Sequence, residues 1–162
     1  MKRVILLLGG NQGNRTHYIE RARDLIEHEI GKISQSSKIY ESAPWGFKAD
    51  QKFFNQVIVV QSILAPFKIL EKIWGIEKKL GRIRVGGKYI SRTIDIDILF
   101  YEHEIIDTPD LTVPHQHMHQ RRFTLIPLAE ILPDWVHPGF NQPISYLLKN
   151  CKDSSEVKAL NQ

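Results

Sequence analysis

Residues 93–101 read Thr-Ile-Asp-Ile-Asp-Ile-Leu-Phe-Tyr, in which apolar and acidic side chains alternate with a period of two. An extended strand sends successive side chains to opposite faces. Ile94, Ile96 and Ile98 therefore supply a buried face. Asp95 and Asp97 share the other, their Cα atoms about 6.6 Å apart. Such a strand needs a sheet to join, a core behind it, and a polar environment in front of the two acids.

The rest of the chain offers the partners. Val4–Leu8 is a continuous aliphatic run ended by Gly9, Gly10 and Asn11, which predicts a buried strand and a turn. Arg15–Ile30 carries Ile19, Ala22, Leu25, Ile26 and Ile30 at helical spacing, with Gly31 as the stop. Ile33–Tyr40 is a weaker, serine-rich strand candidate, and Glu41–Lys52 reads as a loop. Phe53–Leu64 is long and β-rich enough for a full strand. Pro66 sits where a first helical turn tolerates proline. Phe67, Leu70, Ile73, Trp74, Glu77 and Leu80 continue that helix to Gly81. Leu125–Leu132 and Ile144–Leu148 predict short helices, the second opened by Pro143. The order strand, helix, strand, strand, helix, strand is the ferredoxin-like plan. The expected fold is α+β: a βαββαβ core, a mostly antiparallel sheet with helices on one face, and a short C-terminal helical extension. No linker or repeat divides residues 1–162, so one domain is expected.

Composition narrows the function. An apolar fraction of 42% and a charged fraction of 25% suit a globular domain, and no window approaches the roughly 20 apolar residues of a membrane span. The lone Cys151 cannot form an internal disulfide, and the apolar run Val4–Leu8 is too short for a signal peptide core, so a cytoplasmic location is expected. The formal net charge of +4 favours anionic partners.

That charge is concentrated. Arg82, Arg84, Lys88 and Arg92 stand just before Asp95 and Asp97. Paired carboxylates suit hard cations such as magnesium, which takes its remaining ligands from water and phosphate oxygens. Arginine forks hold phosphate oxygens bidentately. Gly81, Gly86 and Gly87 would let the basic loop close over a nucleotide. Downstream, His115, His117 and His119 alternate. A strand would align all three, a helix only His115 and His119; His115, fixed after Pro114, is the best phosphate ligand of the three, with Arg121 and Arg122 close by. Alternation also places Phe53 and Asn55 on one strand face and Phe54 on the other. An aromatic beside an amide suits a flat heterocycle that stacks and is read at its edge. Trp45 would serve as a lid.

Several of these blocks together resemble the 6-hydroxymethyl-7,8-dihydropterin pyrophosphokinases along nearly the whole chain. The blocks are Gly9–Asn11, Phe53–Val57, Lys88–Leu99 with Arg-Thr-Ile-Asp-Ile-Asp-Ile-Leu, Leu111–His115, and Arg121–Phe123. The resemblance implies a magnesium-dependent transfer of diphosphate from ATP to the pterin alcohol, with release of AMP, in folate synthesis. It implies two Mg²⁺ held by Asp95 and Asp97, and a catalytic set of Arg82, Arg92, Asp95, Asp97 and His115. Arg82, Arg84, Arg92, His115 and Arg121 would bind the triphosphate, and Ile98, Leu111 and Thr112 the adenine. The pterin would lie between Phe53 and Phe123, bonded by Asn55 and by the backbone of Ser42, Ala43, Pro44 and Trp45. The chain departs from the family pattern at Phe53, Tyr89, Ile90, Ser91, Asp110 and Gln116.

Two other classes fit parts of the pattern. A ferredoxin-like RNA-binding module would explain the basic charge and strand phenylalanines, although Asp95 and Asp97 would repel phosphate. A zinc hydrolase would use the three histidines. The expected partners are ATP and the pterin, with no nucleic acid and no membrane, and the expected state is a monomer.

Overall fold

The structure, a computed structural model, describes residues 1–44, 51–82 and 92–161. Trp45, Arg84, Gly86, Gly87, Lys88, Tyr89, Ile90 and Ser91 lie outside the described residues. The chain runs β1 (Lys2–Gly10), α1 (Arg15–Glu29), β2 (Lys32–Ser36), β3 (Tyr40–Ser42), β4 (Phe53–Ser62), α2 (Pro66–Lys79) and β5 (Asp95–Tyr101). Then come β6 (Ile106–Asp107), β7 (Thr112–Val113), a 3₁₀ turn (Met118–Gln120), α3 (Arg122–Ile131), β8 (Val136–His137), β9 (Gln142–Pro143), α4 (Ile144–Lys149) and β10 (Val157–Ala159).

The main sheet has the order β10-β3-β4-β1-β5, with β2 also on β4, and its pairings are antiparallel. The βαββαβ order and the antiparallel sheet are those the sequence predicts. The single strand expected over Ile33–Tyr40 is two strands laid end to end along β4. Between them the Ser37 hydroxyl accepts from the Val57 amide at 3.0 Å and donates to the Lys38 carbonyl at 2.7 Å. Serine can satisfy a broken ladder in this way where an aliphatic residue cannot.

The central strands β1 and β4 are buried on both faces, which is why each carries a continuous aliphatic run, Val4–Leu8 and Val57–Val60. Val4, Leu6, Leu8, Ile58 and Val60 pack with Ile94, Ile96 and Ile98 against Ile19, Ile26, Ile69 and Ile73 of α1 and α2. On the opposite face Ile5, Leu7, Val57 and Val59 pack against Leu125 and Leu128 of α3 and Ile144 of α4. The expected C-terminal extension thus covers part of the second face of the sheet. Truncating one of these fully buried leucines to alanine would cost about 2–5 kcal/mol. Strict alternation fails once in β5. Leu6 pairs with Ile98 but Ile5 with Phe100, so Leu99 is an extra residue, and Leu99 and Phe100 both enter the second core.

Local signals set the helix ends. The Asn14 side chain accepts from the His17 amide at 3.1 Å and caps α1. Pro66 opens α2, and Gly81 follows it at φ +84°, the left-handed conformation that glycine adopts without strain. α3 starts one turn earlier than its apolar spacing predicts and runs through Pro127. β10, which pairs with β3, has no counterpart in the sequence reading.

Candidate active site

α3 and the 3₁₀ turn cover only part of the second sheet face. Beyond them the face opens as a cavity of about 410 Å³, floored by Leu7, Gly9, Asn55, Asp95 and Asp97 from β1, β4 and β5. Antiparallel register brings these together, because Gly9 stands between Asn55 on β4 and Asp95 on β5, and Leu7 faces Asp97. Alternation then decides which side chains look into the cavity. Phe53 and Asn55 line it, whereas Phe54 belongs to the helix-side core.

Asp95 is gripped by two arginines. Arg92 Nη1 donates to Asp95 Oδ2 at 2.8 Å, and Arg82 Nη1 donates to Asp95 Oδ1. The same Arg82 nitrogen donates at 2.6 Å to Oε2 of Glu77, a residue of α2 that is 1% exposed. That oxygen also accepts from the Ile96 amide at 2.9 Å, so Glu77 anchors both Arg82 and the acidic strand. Burial works against the Arg82 charge, but Asp95 and then Glu77 prevail and raise its pKa.

Asp97 is in a different state. Burial first, then the neighbouring Asp95 and Glu77, push its carboxyl well above the ordinary range, with Arg121 and Arg82 opposing. Two acids on one strand face, one of them disfavoured as a bare anion, fit a site for a hard divalent cation. Asp95 and Asp97 are the residues that can hold it. His115 also lines the cavity, and its pKa falls to about 4 through burial and the nearby Arg121 and His117. The ring is therefore neutral near pH 7. Its Nδ1 accepts from the His117 amide at 3.3 Å, which leaves the proton on Nε2.

At one end of the cavity stand Phe53, Phe123, Asn55, Ser42 and Ala43. Asn55 is 3% exposed, and its Nδ2 donates to Ser42 Oγ at 3.0 Å, which fixes the amide. The Arg92 and Arg121 guanidinium carbons lie 5.9 and 5.8 Å from the ring centres of Phe53 and Phe123. At the other end the expected Ile98, Leu111 and Thr112 are joined by Leu70, Trp74, Pro109, Asp110 and Gln116.

Of the residues expected from sequence, Ser42, Ala43, Phe53, Asn55, Arg82, Arg92, Asp95, Asp97, Ile98, Leu111, Thr112, His115, Arg121 and Phe123 all line this cavity. Pro44 is the exception: it is described and does not line it. Trp45 and Arg84 are outside the described residues. The histidines separate, since His115 and His117 line the cavity while the His119 ring packs 4.7 Å from Phe140. Among the described residues no three metal-ligating side chains gather, so the trio does not form the zinc site that its alternation admits.

Sequence reasoning missed Gly9, Glu77, Leu70, Trp74 and His117 as cavity or anchoring residues. Glu77 carried a signal, an acid on the apolar stripe of a helix. Trp74 stands one turn from Leu70, yet the same helical spacing equally predicts a core position.

Residues 5–133 match the family model for 7,8-dihydro-6-hydroxymethylpterin-pyrophosphokinase (HPPK). A 2-amino-4-hydroxy-6-hydroxymethyldihydropteridine pyrophosphokinase of Aquifex aeolicus is 41% identical over 98% of this chain and 95% of its own length. That of Porphyromonas gingivalis is 38% identical over 86% of this chain and 97% of its own length. Among solved structures, the wild-type Plasmodium falciparum HPPK-DHPS with pteroate superposes with a TM-score of 0.77 at 18% identity, over 91% of this chain. This chain spans 44% of that longer one, and the likeness shows the fold. Matched by the family model over residues 5–133 and by these relatives over most of its length, the chain belongs to the 7,8-dihydro-6-hydroxymethylpterin-pyrophosphokinase family.

Proposed function

We propose that the protein transfers diphosphate from ATP to 6-hydroxymethyl-7,8-dihydropterin, yielding the pterin diphosphate and AMP, a step of folate synthesis. The observation that carries this reading is one cavity lined along the sheet order by an aromatic and an amide on β4, an acid pair with its arginines on β5, and apolar residues on and after β5. Three such regions in line match a flat acceptor, a polyphosphate and a nucleobase.

The pterin stacks between Phe53 and Phe123, and Asn55 reads its edge from a position fixed by Ser42. The base lies at the end walled by Ile98, Leu111, Thr112 and Trp74. When nucleotide enters, Arg82 and Arg92 exchange Asp95 for phosphate oxygens, while Glu77 keeps Arg82 in place. Arg121 adds charge, and neutral His115 donates from Nε2. Asp95 and Asp97 would hold two Mg²⁺, and such ions would supply neutralisation of the phosphate charge that repels an attacking oxygen. The pterin hydroxymethyl oxygen attacks the β-phosphorus and gives up its proton to solvent, the bond from that phosphorus to the α–β bridging oxygen breaks, and AMP leaves with that oxygen. Binding and charge stabilisation account for most of such catalysis. Arg84, on the triphosphate, and the backbone of Trp45, on the pterin edge, complete these contacts. The protein acts as one domain and a monomer in the cytoplasm. Among the described residues no helix is long and apolar enough to cross a membrane.

An RNA-binding role is not supported. The sheet face that an RNA-recognition module would present is covered by α3 and α4 at one end and carries Asp95 and Asp97 at the other. The test is product analysis by ³¹P NMR with ATP, Mg²⁺ and the pterin alcohol. AMP and pterin diphosphate in equal amounts support the proposal, and ADP as the sole nucleotide product rejects it.

A further inference from the structure

We propose that Asp153, in the C-terminal segment beyond the family match, is a positioning residue for the pterin end of the cavity, acting through the helix that carries Phe123. The inference rests on the pterin reading above. Phe123 is the second residue of α3, and Arg121 is the residue before that helix. The first amides of a helix lack acceptors within it and need them from elsewhere. α3 has no side-chain cap from Arg121 and no acid in its first turn. The acceptor comes from 31 residues downstream, where Asp153 Oδ2 accepts from the Arg122 amide at 2.9 Å. Asp153 Oδ1 accepts from the Ser155 amide at 2.9 Å, and the Ser155 carbonyl accepts from Arg122 Nη1 at 3.0 Å. The tail therefore holds Arg122 by both backbone and side chain. A carboxylate here also meets the positive end of the helix dipole. Burial opposes its charge, but the amides of Arg122 and Ser155 hold its pKa below the ordinary value.

The same segment reaches the facing wall. Two residues after Ser155 the chain enters β10, where Val157 pairs with Ser42 of β3, and the Leu160 amide donates to the Ile39 carbonyl at 2.9 Å. Ser42 is the residue whose hydroxyl accepts from Asn55. One short stretch thus ties the first turn of α3, with Phe123, to β3, with Ser42. A second tie joins the same elements, since Glu130 of α3 accepts from the Tyr40 hydroxyl at 2.5 Å. The match to the family model ends at residue 133, so the brace is built by a part of the chain outside that model's span.

The experiment compares wild type with Asp153→Ala, Asp153→Asn and Asp153→Ser, alone and in a Phe123→Ala background. KM for pterin, KM for ATP, kcat and Tm are measured for each. Loss of a helix cap predicts that Asp153→Ala raises the pterin KM about fivefold. The ATP KM should stay within about twofold, and Asp153→Asn, which keeps an acceptor, should restore most of the difference. In the Phe123→Ala background the Asp153→Ala change should add almost nothing to the pterin KM, because the residue it positions is gone. Should Asp153→Ala be too unstable to assay, Asp153→Ser gives the same selective rise at smaller amplitude. An unchanged pterin KM, a parallel rise in both KM values, or full additivity with Phe123→Ala overturns the inference. If wild type forms AMP and any of these results appears, this inference alone fails. If wild type forms no AMP, the functional reading fails and takes this inference with it.

Discussion

Gly9 and Asn55 face each other across the β1–β4 ladder so closely that a Cβ on Gly9 would stand 2.5 Å from Oδ1 of Asn55. The bare backbone of Gly9 is the space in which the Asn55 amide lies while it donates to Ser42. Gly9→Ala should therefore push the amide off Ser42 and weaken pterin binding by about tenfold, roughly the worth of a buried, oriented hydrogen-bonding group. Calorimetric titration with the pterin measures it. Unaltered affinity would mean that Asn55 does not need that space.

Asp95 and Asp97 should separate in their effects on stability while agreeing in their effects on turnover. Asp95 is paired with Arg82 and Arg92, so Asp95→Ala takes one carboxylate from each of two largely buried guanidiniums, while Arg82 keeps Glu77. A loss of about 1 kcal/mol is expected after allowance for partial solvent exposure. The Asp97 charge is opposed by its surroundings, so Asp97→Ala should leave the metal-free protein as stable or more so. Both changes should lower kcat at least about a thousandfold if each acid holds a catalytic cation. Urea melts without metal, together with single-turnover rates, check both parts.

Trp74 is 43% exposed and lies one turn from Leu70, and both line the end of the cavity away from Phe53 and Phe123. Stacking of a base on an aromatic ring is worth about 1–3 kcal/mol. Trp74→Ala should raise the KM for ATP about tenfold or more, with the pterin KM unchanged, and Trp74→Phe should fall between. Steady-state kinetics with each substrate varied in turn decide it, and a pterin-only effect would put the base elsewhere.

Acid stability should depend on His137, which is 6% exposed. Its Nδ1 accepts from the Gly139 and Phe140 amides at 3.0 and 3.1 Å, so the ring must be neutral. Burial, with the nearby His119, pushes its pKa down from 6.5 to about 4. The unfolded chain binds this proton more readily than the folded one. Stability is thus fully present above about pH 6.5 and declines as pH falls toward 4, by roughly 2–3 kcal/mol for a shift of this size. His137→Asn keeps an acceptor that does not titrate. Melting curves of this variant from pH 7 to 4.5 should be flatter than those of wild type, and identical slopes would rule His137 out as the acid trigger.

How much of this the sequence disclosed follows from the range of each interaction. Period-two alternation in β5 and in Phe53–Asn55 is local, so it announced which side chains share a face before any partner was known. The split of Ile33–Tyr40 into two strands was hidden because it depends on Ser37 bonding to Val57, twenty residues away. β10 was hidden likewise, since a three-residue strand is defined by the edge it pairs with. The acid pair and its arginines were legible as a cluster of charge. The anchor Glu77 was marked only as an acid on an apolar helix stripe, and its neighbours in space alone distinguish a buried acceptor from a solvated acid. Trp74 and Leu70 fit a core stripe and a cavity wall equally well, and only the packing of α2 beside β5 separates the two.

If Asp95 and Asp97 hold the cation, nucleotide binding and Mg²⁺ binding are linked through these two acids. The affinity of a non-hydrolysable ATP analogue, measured by calorimetry with and without Mg²⁺, tests it in wild type and in the Asp95→Asn/Asp97→Asn double variant. Mg²⁺ should tighten binding to wild type by about a hundredfold, some 3 kcal/mol of linked binding, and the double variant should lose this gain. Equal tightening by Mg²⁺ in both proteins would contradict it.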